Sequence, residues 1–114
     1  MDLYNEIESL MAELSQSIRL LRKKGTELAE AEREYKLSLR QEALKLRETE
    51  GMPVTLINQV IYGVPEVAEK RFKRDVAEAT YTANQEHINV TKLKLRILEN
   101  QLAREWGNAN KEGY

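Results

Sequence analysis

At 114 residues the chain is one domain at most, and with 32% charged residues, one Phe and one Trp it lacks the material for a compact globule. The formal charge of −1 gives no overall field for nucleic acid or acidic lipid, and the absence of cysteine excludes disulfides, thiol catalysis and thiolate metal sites. No stretch approaches the roughly 18 apolar residues a membrane span needs, and the acidic, amphipathic start MDLYNEIESL does not resemble a targeting leader, so a cytoplasmic protein is expected.

Residues 2 to about 50 read as one long helix. Asp2 is placed to cap it, because its carboxylate can accept from the orphan N–H groups of the first turn, and Glu6 and Glu8 suit the positive end of the dipole. The apolar positions Leu3, Ile7, Leu10, Leu14, Ile18, Leu21, Leu28, Tyr35, Leu39, Ala43 and Leu46 recur at steps of three, four or seven, a narrow stripe. At about 1.5 Å per residue such a helix is roughly 70 Å long, and one apolar stripe cannot stabilise it without a partner along its length. Gly25 falls on that stripe; a glycine inside a helix costs about 1 kcal/mol against alanine, which a close approach of the facing helix or a bend offsets.

The pattern breaks at GMPVTLINQVIYGVP, residues 51–65, which holds both prolines and two of the five glycines. Gly51 suits a left-handed C′ position, and Pro53 cannot continue the helix. Thr55 is expected to cap a short helix over about 55–62, apolar on most sides, with Gly63 ending it and Pro65 opening the next helix. So dense an apolar connector is expected to fold over the end of the hairpin.

The second long helix is expected over about 65–106. Its main stripe is Ala68, Phe72, Val76, Ala79, Ala83, Val90, Leu93 and Ile97, and the sequence assigns it to the first helix. A second stripe, Ile88, Leu95, Leu98, Leu102 and Trp106, is centred about 130° away and is expected to meet another chain, with Leu20, Leu37 and Leu44 as its counterparts on the first helix. Residues 107–114, GNANKEGY, carry no pattern and are expected to be a disordered tail. The fold expected is therefore all-α: an antiparallel, coiled-coil-like hairpin in residues 1–106, assembling as a homo-oligomeric bundle, a dimer or higher.

Little in the chain suits chemistry. His87 is the one histidine, and Asn84 and Val90 at helical spacing from it are not a ligand set, so a satisfied boundary histidine is expected and no metal. The carboxylates Glu27, Glu30, Glu32 and Glu34 read as a solvated helix face, since paired acid–base work needs a walled pocket that a hairpin does not offer. There is no glycine-rich phosphate loop and no serine in a nucleophile setting; neither an enzyme nor a cofactor is expected. Three basic clusters remain: Arg19, Arg22, Lys23 and Lys24; Lys92, Lys94 and Arg96; and Lys70, Arg71, Lys73 and Arg74 around Phe72. The last is the candidate nucleic-acid contact, against which stand Glu66, Glu69 and Asp75 at ion-pair spacing.

The LR run ahead of the Gly-x-Pro break, VAEKRF, AEATY and the closing REWGN, within residues 35–108, resemble small helical proteins of bacteriophages and prophages of Gram-positive bacteria. The resemblance implies a phage accessory protein of an early gene cluster for replication or recombination, and no catalytic residues. The function expected is structural or adaptor-like, through helix-mediated oligomerisation and protein–protein contact. The alternative is a nucleic-acid-associated protein using the Lys70–Arg74 cluster.

Overall fold

The computed structural model describes residues 2–112, and among them every element is helical. A long helix, α1 (Leu3–Glu50), is followed by a short one, α2 (Val54–Val60), a 3-10 turn over Ile61–Gly63, and a second long helix, α3 (Pro65–Glu112). None is long and apolar enough to cross a membrane, among the described residues.

Each boundary has a local cause. Asp2 caps α1: its Oδ1 accepts the Asn5 N–H at 2.8 Å, and its carbonyl accepts the Glu6 N–H at 3.2 Å. At the other end Gly51 takes φ +62°, and its N–H donates to the Arg47 carbonyl at 3.1 Å, the left-handed stop. Thr55 is not the cap of α2. Pro53 takes that position with φ −62° and ψ 147°, and its carbonyl accepts the N–H groups of Leu56 and Ile57, both at 3.0 Å. The ring of Pro53 already fixes the extended entry, so no side-chain acceptor is needed. The last residues of the expected short helix tighten into the 3-10 turn, and Pro65 opens α3 as the first helical residue. α3 then passes the expected end at Trp106 and continues to Glu112. Among the described residues Gly51 alone has positive φ; Gly107 stays helical, because a glycine that does not turn left-handed weakens a helix without ending it. Of the expected tail, residues 107–112 are thus helical and residues 113 and 114 lie outside the described residues.

The chain divides into two compact units. In the unit Lys23–Tyr81 the core is Tyr35, Ile57, Ile61 and Val67, with Leu39, Ala43, Leu46, Met52 and Val64 packed against it. The connector therefore folds onto the last turns of α1, and Val67 is fully buried. Each such side chain contributes on the order of 2 kcal/mol relative to exposure. Two contacts set the directions of the helix segments here. Glu34 pairs with Lys70 at 3.3 Å, and a Cβ on Gly25 would lie 3.4 Å from the Tyr81 ring. As the position along α1 rises, its counterpart on α3 falls, so the two segments run in opposite directions.

The other unit joins residues 2–22 to residues 82–112. Ile7, Ser17, Ile88, Thr91 and Leu95 are buried, and Leu10, Leu14, Leu21, Leu98 and Leu102 half-buried. Glu13 meets His87 at 3.1 Å, and Asn84 donates its amide to the Ser17 carbonyl at 3.1 Å, again in opposite directions. The hydroxyl of Thr91 donates to the His87 carbonyl at 2.8 Å, so its burial leaves no donor unsatisfied.

Candidate functional site

The covered residues of α3 follow a strict alternation of three and four. They are Val67, Lys70, Arg74, Ala77 and Tyr81 in one unit, and Asn84, Ile88, Thr91, Leu95, Leu98 and Leu102 in the other. This reverses the expected roles of its two stripes. Ile88 and Leu95, assigned from sequence to another chain, are 6% and 7% exposed within their own unit; Leu98 and Leu102 are half-buried, and only Trp106 stands out, at 70%. The stripe assigned to the first helix faces outward instead. In one unit it presents Phe72, Val76 and Ala79, in the other Ala83, Val90, Leu93 and Ile97.

The physical reason lies in the composition of the covered face. Between Val67 and Ile88 it consists of Lys70, Arg74, Ala77, Tyr81 and Asn84, none of which counts as a large aliphatic. Long cationic side chains can lay their methylenes on a packed surface and carry the charge to its edge. Arg74 does this: its guanidinium lies 4.7 Å over the Tyr35 ring, bonds Asp75 at 2.8 Å, and its side chain is 22% exposed. The Asp75 hydrogen bond holds the Arg74 guanidinium above its ordinary pKa. On α1 polar side chains are likewise covered beside exposed apolar ones: Ser17 and Ser38 are each 8% exposed, while Ile18, placed on the stripe from sequence, is 49% and Leu37 53% exposed.

The remaining cations of the candidate nucleic-acid cluster are engaged in the same unit. Lys70 pairs with Glu34, Lys73 with Glu69 at 3.8 Å, and Arg71 lies 5.1 Å over the Tyr62 ring. Phe72 is 63% exposed, which corrects its assignment to the covered stripe. Of the other two clusters, Lys24 pairs with Glu27 at 3.3 Å. Lys94 lines a shallow groove of about 360 Å³ with Glu6, Leu10, Ile97 and Leu98, next to the outward stripe. His87 is the boundary histidine expected, half-exposed against Glu13, and no group of three metal-ligating side chains occurs among the described residues.

Sequence reasoning passed over a further basic face. Arg33, Lys36 and Arg40 surround a shallow hollow on α1 of about 450 Å³ that Ala29, Glu32 and Leu37 also line. Leu37 is exposed there; Leu44 in the same unit and Leu20 in the other are exposed as well, consistent with their off-stripe positions. The residue types did not mark the covered face: at positions 70, 74, 77, 81 and 84 it holds Lys, Arg, Ala, Tyr and Asn, and the outward positions 72, 76, 79, 83, 86, 90, 93 and 97 keep the same alternation. No family model, curated protein or solved structure matches the chain.

Proposed function

We propose that this chain is a non-enzymatic structural or adaptor protein that acts by offering the outer face of α3 to another helix. One observation carries the reading. In one unit Val90, Leu93 and Ile97 lie between 47% and 55% exposed at steps of three and four, and in the other Phe72 and Val76, four apart, are 63% and 48% exposed. Single exposed apolar residues are ordinary, but a regular row of them along one helix is a helix-pairing stripe. The coiled-coil-like antiparallel hairpin and its assembly into an oligomer belong to the same proposal, as does the phage accessory setting that the resemblance implies. The nucleic-acid alternative has less support, because Lys70, Arg71, Lys73 and Arg74 each already meet a carboxylate or an aromatic ring.

The test is mass in solution by light scattering. The wild type is expected at two or more protomers, and Leu93→Glu with Ile97→Glu at one, with helix content nearly unchanged because both side chains are more than half exposed, and with a thermal midpoint that does not rise with protein concentration as the wild type's does. Equal masses for the two proteins would reject the stripe as the contact.

A further inference from the structure

We infer that the outer face of α1 between Arg33 and Arg47 is a docking surface for an acidic amphipathic helix of another protein, one that alternates carboxylates with leucine-type side chains. The whole face lies in the unit Lys23–Tyr81, on a different helix from the outward stripe of α3, and does not depend on that stripe. Arg33, Leu37, Arg40, Leu44 and Arg47 follow one another at steps of four and three, so cation and leucine alternate along a straight line. Lys36 stands between Arg33 and Arg40 on the same side. All six are exposed, Leu37 at 53% and Leu44 at 47%. They share a sector about 100° wide, turned away from Tyr35, Leu39 and Leu46, which pack with the connector.

The charge of this face is uncompensated. Between positions 33 and 47 the carboxylates are Glu34, which Lys70 holds at 3.3 Å, and Glu42, which is half-buried; both fall outside the sector. Among the described residues none of Arg33, Lys36, Arg40 and Arg47 makes an ion pair or a side-chain hydrogen bond. The four cations of the Lys70–Arg74 cluster, by contrast, are all engaged. Glu32 borders the hollow among Arg33, Lys36 and Arg40 and offsets one positive charge there. With a net charge of −1 on the whole chain, the excess is local to this face.

Charge and spacing together select the occupant. The three arginines are seven residues apart, about 10.5 Å, the interval at which a neighbouring helix repeats its own carboxylates. Leu37 and Leu44 fall between them, where such a helix brings apolar side chains to cover both. A nucleic acid answers the cations and leaves the leucines wet, and Tyr35, the aromatic of this segment, is buried and takes no part in stacking. An anionic membrane needs a broad apolar face, which two leucines do not make.

The probe is a fluorescein-labelled synthetic peptide of about three heptads, with Glu and Leu alternating at steps of three and four on one side and Ala and Gln elsewhere. Titrated with the full chain and followed by fluorescence anisotropy, it is expected to bind at micromolar concentration, to gain helix content, and to lose affinity as salt rises. Arg40→Glu, and separately Leu37→Ser with Leu44→Ser, are each expected to weaken binding about tenfold. The circular dichroism of both variants is expected to stay that of the wild type, since all three side chains are exposed. Lys45→Glu changes the charge by as much as Arg40→Glu but from outside the sector, and is expected to alter affinity by less than about twofold. A peptide with Lys in place of Glu is expected to bind the chain carrying Arg33→Glu, Arg40→Glu and Arg47→Glu, and to ignore the wild type. Absence of binding by the acidic peptide, or equal losses from Arg40→Glu and Lys45→Glu, would overturn the docking surface. A short DNA duplex that binds more tightly than the peptide through the same arginines would replace the helix as occupant. A fall in the mass of Arg40→Glu by light scattering would make the face a contact between copies and reject the foreign partner. The wild type's own mass, which decides the stripe of α3, does not enter any of these outcomes.

Discussion

Gly25 is the position where a single side chain decides how near two helix segments come. Its missing Cβ would lie 3.4 Å from Cε2 of Tyr81, an ordinary van der Waals separation, so the ring does not require a glycine there. Alanine gains about 1 kcal/mol of helix propensity at that point. Gly25→Ala is therefore expected to raise stability by up to about 1 kcal/mol in chemical denaturation, whereas Gly25→Leu, whose branches would enter the ring, is expected to lower it. Gly51 behaves in the opposite way. A Cβ there has open space around it, but φ is +62°, so Gly51→Ala is expected to cost about 1–2 kcal/mol through backbone strain alone. Space and dihedral are separate constraints, and these two glycines separate them.

On the scale of the element, the faces of α3 depart from residue type in the unit Lys23–Tyr81, where Lys70, Arg74 and Tyr81 are covered and Phe72 and Val76 face outward; in the other unit Ile88, Leu95, Leu98 and Leu102 are covered beside Asn84 and Thr91, while Val90, Leu93 and Ile97 face outward. Leu95 and Leu93 test the assignment, two residues apart on the same helix and 7% and 53% exposed. Leu95→Glu buries a carboxylate without a partner and is expected to unfold its unit, with loss of the circular dichroism helix signal at ambient temperature. The Leu93 and Ile97 change is expected to keep that signal. The extent of α1, the start of α3, the Asp2 cap, the Gly51 stop and the apolar connector were all legible, because each depends on residues adjacent in sequence. Thr55 was misread because Pro53 had already done the capping work, and the end of α3 because Gly107 keeps helical φ.

For the molecule as a whole, the apolar side chains that its units bury are few, and one group of them lies around the connector. Tyr35, Ile57, Ile61 and Val67 form a core in the unit Lys23–Tyr81. Val67→Ala, at a fully buried site, is expected to cost about 2 kcal/mol. Val76→Ala, at a site 48% exposed, is expected to change the stability of the protomer by less than about 0.5 kcal/mol. Measured at rising protein concentration, the second variant is expected to lose ground to the wild type, since Val76 is one of the residues of the proposed pairing stripe. The net charge of −1 belongs to this scale as well. Its basic clusters do not add up to a field, and the densest of them is drawn into the unit's own ion pairs and ring contacts.

By itself the sequence determined the helices and their punctuation: two long charged segments, a proline- and glycine-bounded connector, and a period of three and four. Those features are local, set by backbone dihedrals, capping groups and spacing along one chain. Which of two stripes on α3 turns inward was decided only in the tertiary structure. The two differ by about 130° around one helix and are alike in apolar content toward the C-terminal end, so propensity and periodicity score them almost equally. What separates them is complementarity with another element: Arg74 over the Tyr35 ring, Lys70 against Glu34, Asn84 on the Ser17 carbonyl. Contacts of that kind bury polar groups at little cost once their partners are in place, and no count of apolar residues along a single helix contains the partner.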